Sequence, residues 1–246
     1  MAPSIPTPPT PTPPARAPRA ILFDAGNTLI RIDYAAIADA LAGHGHARDL
    51  AAIEDAELRA RVRLDPHLAP GASTESGDTH GRYLRYLLER LDVTDDAEVA
   101  AMERWRRDYN APVGLWTRAD PRAAAALARA RAAGLAVGVI SNSNGTVRRT
   151  LEVHGLAAQI DFLIDSSEVG VEKPEPRIFG FGLARAGVAA AEAAYVGDLY
   201  SVDVLGARAA GLAAVLIDPR GYWGARDCLR ARDAEHAVAM LLGERI

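Results

Sequence analysis

Lysine is almost missing from this chain: twenty-seven arginines stand beside one lysine, Lys173. A replacement that complete is most simply a compositional bias, so the spared position is the informative one. A guanidinium is a planar fork that keeps its proton. An ammonium is a compact point charge with three donors, and it fits between two oxygens where a guanidinium does not. Lys173 is therefore a candidate site residue on composition alone, against the simpler reading of a chance survivor on a solvated surface. Cysteine is equally scarce. Cys228 stands alone, which excludes an internal disulfide and fits a reducing compartment. No CxxC or His/Cys cluster suggests zinc. No apolar run approaches the ~20 residues of a spanning helix, and a net charge of −4 offers no basic face to nucleic acid. These absences predict a soluble, cytoplasmic protein with neither a membrane nor a nucleic-acid partner; they leave monomer and homodimer open.

Proline is concentrated at one end. Met1–Pro18 holds eight of the fifteen prolines and no apolar core of the secretory kind. Residues 1–18 read as a polyproline-like, disordered tail, with a docking ligand for a proline-binding domain as the alternative. From Arg19 onward strands and helices alternate. Ala20–Phe23, Leu135–Ile140, Asp161–Ile164, Ala193–Val196 and Ala213–Ile217 are short apolar runs. Helices are expected from Asp120-Pro121 to Gly134, over 144–154, 175–186 and 202–210, each closed by a glycine. This alternation predicts a doubly wound, Rossmann-like parallel α/β sheet with helices on both faces. Residues 33–113 break it. Ile37, Ala40, Leu41 and His44 suit one helix face, Tyr83, Leu84, Leu87, Leu88 and Leu91 a second, and Val99, Met102, Arg106 and Tyr109 a third. The expectation is an α-helical cap over 33–113, inserted into a core made of 19–32 and 114–246, with a loop over 64–81.

Ligands of such sheets bind beyond the carboxyl ends of the strands. Asp24, Ser141 and Asp198 lie at such ends, and Lys173 begins a helix. A strand-end aspartate can act as nucleophile and as metal ligand. Ser141 and Asn142 supply a hydroxyl and an amide suited to a phosphate oxygen. Asp198 and Asp203 beside Asp24 make an oxygen-rich pocket fit for Mg²⁺. Each piece alone is an ordinary turn or loop residue; their order and placement together carry the signal.

That order, Asp24 with Thr28, then Ser141, Lys173 and the Asp198/Asp203 pair, resembles the four motifs of the haloacid dehalogenase-like superfamily. The resemblance covers Arg19 to Ile246 and includes a helical cap after the first motif. It implies a Mg²⁺-dependent phosphohydrolase acting on a small phosphorylated metabolite. Asp24 would form an aspartyl-phosphate, while Ser141, Asn142 and Thr28 hold the phosphoryl group. Lys173 would bridge nucleophile and phosphate. Asp24, the Gly26 carbonyl and Asp198 would bind the metal, with Asp203 coordinating it or orienting its waters.

The chain departs from the pattern at one point. Phosphatases of the family carry a second aspartate two residues after the nucleophile as general acid and base; here that residue is Gly26. The loss of such help costs roughly 10²–10⁴-fold in rate. Asn27, Arg31, His44, His46, His67, His80 or water are the candidate substitutes. Glycine also tolerates left-handed backbone, which gives Gly26 a second possible reason. Two other readings stay open: a non-catalytic protein that binds a phosphorylated ligand or a partner, and a haloacid dehalogenase. A phosphonoacetaldehyde hydrolase is nearly excluded, because its cap lysine is absent.

Overall fold

The computed structural model describes residues 17–68 and 72–244. Residues 1–16, most of the proline-rich segment, lie outside the described residues. β1 (Ala20–Phe23) and β2 (Ile30–Ile32) precede four helices, α1 (Tyr34–Gly43), α2 (Leu50–Leu64), α3 (Gly77–Arg90) and α4 (Asp96–Asp108). There follow β3 (Trp116–Ala119), α5 (Ala123–Ala132), β4 (Ala136–Ser141), α6 (Val147–Val153), β5 (Phe162–Asp165), α7 (Ser166–Val169) and α8 (Pro176–Ala186). β6 (Ala193–Gly197), α9 (Leu205–Ala209), β7 (Ala213–Ile217), β8 (Leu229–Ala231) and α10 (Ala234–Leu241) complete the described chain. Among the described residues, no helix is long and apolar enough to cross a membrane.

Six strands form one parallel sheet in the order β5-β4-β1-β6-β7-β8. Strands covered on both faces read as continuous apolar runs, and here successive residues serve opposite cores. Ile21 and Phe23 of β1 face a core closed by α5 and α10, with Leu127 and Val238. Ala20 and Leu22 face the core beneath α8 and α9, with Phe179 and Ala207. β1 lies between β4 and β6, where the chain leaves the sheet in two directions. Phe23 is level with Val139 on one side and Val196 on the other. The residues that follow β1, β4 and β6 therefore meet in one crevice, the switch point at which such sheets bind ligands.

The sheet is one strand wider than the five runs read from sequence. β8 was missed because it has only three residues, with Arg230 at its centre. A second, antiparallel pair joins β2 to β3. It lies where the chain leaves the sheet for the four helices and where it returns. α5 begins at Ala123, later than the Asp120-Pro121 signal, and Asp120 Oδ1 accepts from Arg122 N at 2.8 Å just ahead of it. The expected helix over 202–210 is a π-type turn, Tyr200–Val204, followed by α9.

Helices α1 to α4 share an apolar core of their own, including Ile37, Ile53, Leu84, Leu87 and Met102. Each starts at a capping side chain. Asp33, Asp49, Ser76 and Asp95 accept from backbone N–H groups one turn on, which satisfies donors the helix leaves open. Two expectations need correction here. The loop placed over 64–81 is shorter, since α2 ends at Leu64, a turn covers Asp65–His67, and Ser76 starts α3 at Gly77. α2 itself had no counterpart among the three helix faces. Its buried side includes Glu57 and Arg61 beside Ile53, Ala56, Ala60 and Leu64, so charges stand where an amphipathic pattern demands apolar residues.

β6 ends on Gly197 for a steric reason. A Cβ there would lie 2.4 Å from Cγ of Asp203, and Asp203 is held by several hydrogen bonds. Gly197→Ala is expected to destabilise the fold by about 1–3 kcal/mol, the usual penalty of overpacking. A urea midpoint equal to that of the unsubstituted protein would contradict this reading.

Candidate active site

The single lysine lies at the floor of the crevice, 3 % exposed. Its Nζ donates to Asp24 Oδ1 at 2.5 Å, to Asp203 Oδ1 at 2.8 Å and to the Tyr195 hydroxyl at 2.9 Å. Three donors thus meet three acceptors, the full capacity of an ammonium. The Tyr195 hydroxyl in turn donates to the Ile140 carbonyl at 3.0 Å. Burial works against the charge of Lys173, but Asp203 and Asp24 outweigh it and hold its pKa well above the ordinary value.

Asp203 uses both oxygens within the protein. Oδ2 accepts from the backbone N–H groups of Asp198 at 3.0 Å and Leu199 at 2.9 Å. It thereby shapes the turn after β6 that presents Asp198. Burial pushes Asp24 up to about 6 although Lys173 opposes it. Burial likewise pushes Asp198 up to about 8, against Arg61 and with Asp203. Oxygens of Asp24, Asp198 and Asp203 lie within 4.8 Å of one another.

The four-helix insertion supplies the second cation. Arg61 of α2 donates from Nη1 to Asp198 Oδ2 at 3.0 Å, and Asn27 Nδ2 donates to the same oxygen at 3.3 Å. Arg61 is anchored by Glu57, which accepts from it at 2.9 and 2.6 Å and also from the hydroxyls of Tyr34 at 2.9 Å and Tyr83 at 2.5 Å. Four carboxylates, Asp24, Asp198, Asp203 and Glu57, are thus linked to two cations, Lys173 and Arg61. With all four ionised, the surplus of two negative charges would match one divalent cation, and hard carboxylate oxygens are the donors Mg²⁺ takes. The residues fit that metal.

A cavity of about 420 Å³ opens above this floor. Of the residues expected at the site, Asp24, Gly26, Ser141, Asn142, Lys173, Asp198 and Asp203 line it. Thr28 does not. It is buried, and its hydroxyl has no hydrogen-bond partner. Asn142 lines the cavity, but its amide is occupied otherwise than expected. Oδ1 accepts from Lys173 N at 2.7 Å, while Nδ2 donates to Lys173 O at 3.0 Å and to Thr74 Oγ1 at 2.9 Å. Its side chain fixes the backbone of the lysine. Ser141 Oγ donates to Asn142 O at 3.2 Å.

Gly26 has no left-handed backbone; Asn27 beside it does, with φ of 52°. The conformational reason for Gly26 therefore falls away. A Cβ there would meet Trp116 Nε1 at 3.4 Å, ordinary contact. Trp116 Nε1 also donates to Asn27 Oδ1 at 3.2 Å. Of the candidate proton donors, Arg31 pairs with Glu54 and Asp120, His46 with Glu98, and His67 with the Tyr86 hydroxyl. His44 ends α1 at the surface. Only Asn27 and His80 of that group reach the cavity. Arg61, Glu57, Tyr195 and Glu75 were not legible as site residues. Glu57 and Arg61 are an i,i+4 pair, which normally marks a solvated helix face.

The model of the haloacid dehalogenase-like hydrolases matches residues 18–211. The chain is 30 % identical over 207 residues to haloacid dehalogenase-like hydrolase domain-containing protein 3 of Homo sapiens, covering 81 % of each. It is 42 % identical over 125 residues to a phosphoserine phosphatase of Thermus thermophilus; that match spans about half of either chain, 50 % of this one and 47 % of the other. A phosphoglycolate phosphatase of Rhodospirillum rubrum is 30 % identical over 202 residues, 81 % of this chain and 79 % of its own. Among solved structures, a magnesium-bound HAD-hydrolase of Bacillus subtilis shares the fold at a TM-score of 0.63 and 19 % identity, covering 92 % of this chain and 100 % of that one. From the motif order, the sheet topology and these matches together, the chain belongs to the haloacid dehalogenase-like hydrolases.

Proposed function

We propose that the protein hydrolyses a small, anionic phosphate monoester through an aspartyl-phosphate on Asp24, with residues 33–113 as the cap over a core of 19–32 and 114–246. One observation carries the reading: the Lys173 ammonium joins Asp24 to Asp203 at the closed end of a cavity that also holds Asp198. Lys173 occupies Oδ1 of Asp24, which leaves Oδ2 as the attacking oxygen in this reading. Asp24 Oδ2 attacks phosphorus, and the bond from phosphorus to the ester oxygen breaks. Water then hydrolyses the acyl-phosphate, releasing phosphate and restoring the carboxylate. There is little covalent chemistry for a protein to do in such a transfer beyond positioning and charge stabilisation. Lys173 supplies charge at both nucleophile and phosphate. Mg²⁺ held by Asp24, the Gly26 carbonyl and Asp198 would neutralise charge on the phosphoryl oxygens. Asp203, with both oxygens engaged, orients the Asp198 turn. Arg106 and Arg107 line the cavity roof and suit an anionic remainder, as do the phosphoserine and phosphoglycolate named for two relatives.

Lys173→Arg keeps the charge and exchanges a point donor for a fork. Turnover of phosphate esters is expected to fall on the order of 10²-fold or more with the fold intact, the range for losing one preorganised charge donor. Unchanged kinetics in a folded variant would remove Lys173 from the mechanism.

Mg²⁺ at a hundredfold excess over its Kd is expected to stabilise the protein by about 2.7 kcal/mol, and Asp198→Ala is expected to abolish the shift in melting temperature. A Tm indifferent to Mg²⁺ and to chelator counts against the metal. Without divalent cation, pH adds a second readout. Asp24 and Asp198 sit above the ordinary carboxylate value of 3.8, so the folded state holds more protons than the unfolded state between roughly pH 4 and 8. Their contribution is present in full below that window and is lost as pH rises through it. The metal-free protein should therefore melt at lower temperature at pH 8 than at pH 5, and Asp198→Asn should flatten the slope.

A further inference from the structure

Gly26 leaves the departing oxygen without the usual carboxylic acid, and a carboxyl from the insertion side, Glu75, lines the same cavity. We propose that Glu75, on the segment between α2 and α3, protonates the leaving group, an inference that rests on the phosphohydrolase reading above.

Its position is built from both sides. Ser73 Oγ donates to Glu172 Oε1 at 2.9 Å, and Thr74 Oγ1 accepts from Asn142 Nδ2 at 2.9 Å. These bonds pin the residues before Glu75 to the core segments that carry Lys173 and Ser141. Ser76 caps α3 by accepting from Thr79 N at 3.1 Å and fixes the residue after it. Glu75 lies half-buried between them in the cavity wall. Asp24 attacks from the sheet. In-line displacement sends the ester oxygen away from the sheet, toward the insertion that carries Glu75.

The other titratable side chains of the cavity are committed elsewhere. Asp24, Asp198, Asp203 and Lys173 form the floor. Tyr83 donates to Glu57, and burial with Glu57 raises its pKa far above the phenolic range. Burial also tightens the hold of Tyr109 on its proton. His80 is brought down to about 4 by burial and then by Arg106, so at neutral pH it is an uncharged imidazole. Guanidinium groups do not release protons. Glu75 differs from all of these. Burial first, then the carboxylates of Glu172, Asp165 and Asp24, push it up to about 7 against the opposing charge of Lys173. Arg106 lines the same cavity and its charge is weakly coupled to Glu75, and Glu172 Oε2 is buried without a partner. An acid works best with its pKa near the working pH.

The step balances. As Asp24 Oδ2 bonds to phosphorus and the ester bond breaks, the Glu75 proton passes to the departing oxygen, which leaves as an alcohol. Glu75, then ionised, takes a proton from the water that hydrolyses the acyl-phosphate and returns to its starting form.

The test compares kcat for a primary alkyl phosphate and for p-nitrophenyl phosphate, with Mg²⁺, in the unsubstituted protein, Glu75→Gln and Glu75→Gln with Gly26→Asp. A p-nitrophenolate leaves without a proton, so Glu75→Gln is expected to depress the alkyl ester far more than the aryl one, by up to ~10²–10⁴-fold. The fall in alkyl-ester kcat as pH rises through about 7 should vanish with it, and Gly26→Asp should restore part of the rate. Glu75→Asp, which keeps an acid one methylene shorter, should retain the pH limb at a lower rate and guards against a fold defect in the amide variant. Equal losses on both esters, a change in KM alone, or no change overturn the role of Glu75 and leave the phosphohydrolase reading standing. Turnover of neither ester by the unsubstituted protein overturns that reading and this inference with it.

Discussion

The contact between the Lys173 ammonium and the carboxylates of Asp24 and Asp203 is the constraint on which the rest of this molecule depends. An ion taken out of water costs several kcal/mol unless geometry and further hydrogen bonds repay it. Here each donor of the ammonium has its acceptor, and the backbone on both sides of the lysine is tied to Asn142. Tyr195 completes the cage from within β6. Three sheet strands must end at the same level for this to happen, and the register of β1 with β4 and β6 ensures it. A chain that has given up lysine elsewhere keeps it where one ammonium meets three acceptors.

The second charged cluster is delivered by the insertion rather than by the sheet. Glu57 holds Arg61 in place, and two tyrosines hold Glu57, so a guanidinium arrives at Asp198 already oriented. The helix α2 buries these charges beside Ile53, Ala56, Ala60 and Leu64, so one face serves both the core of the insertion and the cavity. The floor of the cavity and the insertion are thereby electrically one object, although they come from separate stretches of chain.

How much of this could be read beforehand varied with the physics of each element. Long apolar strands and the polar residues just past them were legible, because a buried parallel strand tolerates little else and a ligand crevice forms at its end. Asp24, Ser141, Lys173, Asp198 and Asp203 came together for that reason. β8 is too short to show a period. α2 hides its buried face behind Glu57 and Arg61, whose spacing is that of a solvent ion pair. Thr28 and Asn142 were placed by motif, and the fold gives them neighbours that no spacing reveals: a dry pocket for one, the lysine backbone for the other. Gly26 stood as a lost acid or as a backbone requirement, and its φ, outside the left-handed region, removes the second. Glu75 carries no local signal. Only the return of its segment against Asn142 and Glu172 brings it to the site.

Many of the bonds that cross between the insertion and the sheet are polar. Asp65 accepts from the amide and the hydroxyl of Ser201, each at 2.8 Å, Arg61 meets Asp198, Tyr222 reaches Asp55, and Ser73 reaches Glu172. Such seams behave differently from apolar ones. Water can replace each polar partner as it parts, although Val202, Leu199 and Trp116 also pack against the core of the insertion. Dissolved ions screen the seam's solvent-accessible ion pairs, Arg220 with Glu54 and Asp55, over a Debye length of about 8 Å at physiological ionic strength, and act far less on the buried pair of Arg61 and Asp198. The rim of this seam is therefore sensitive to the electrolyte around it, while its buried centre is not.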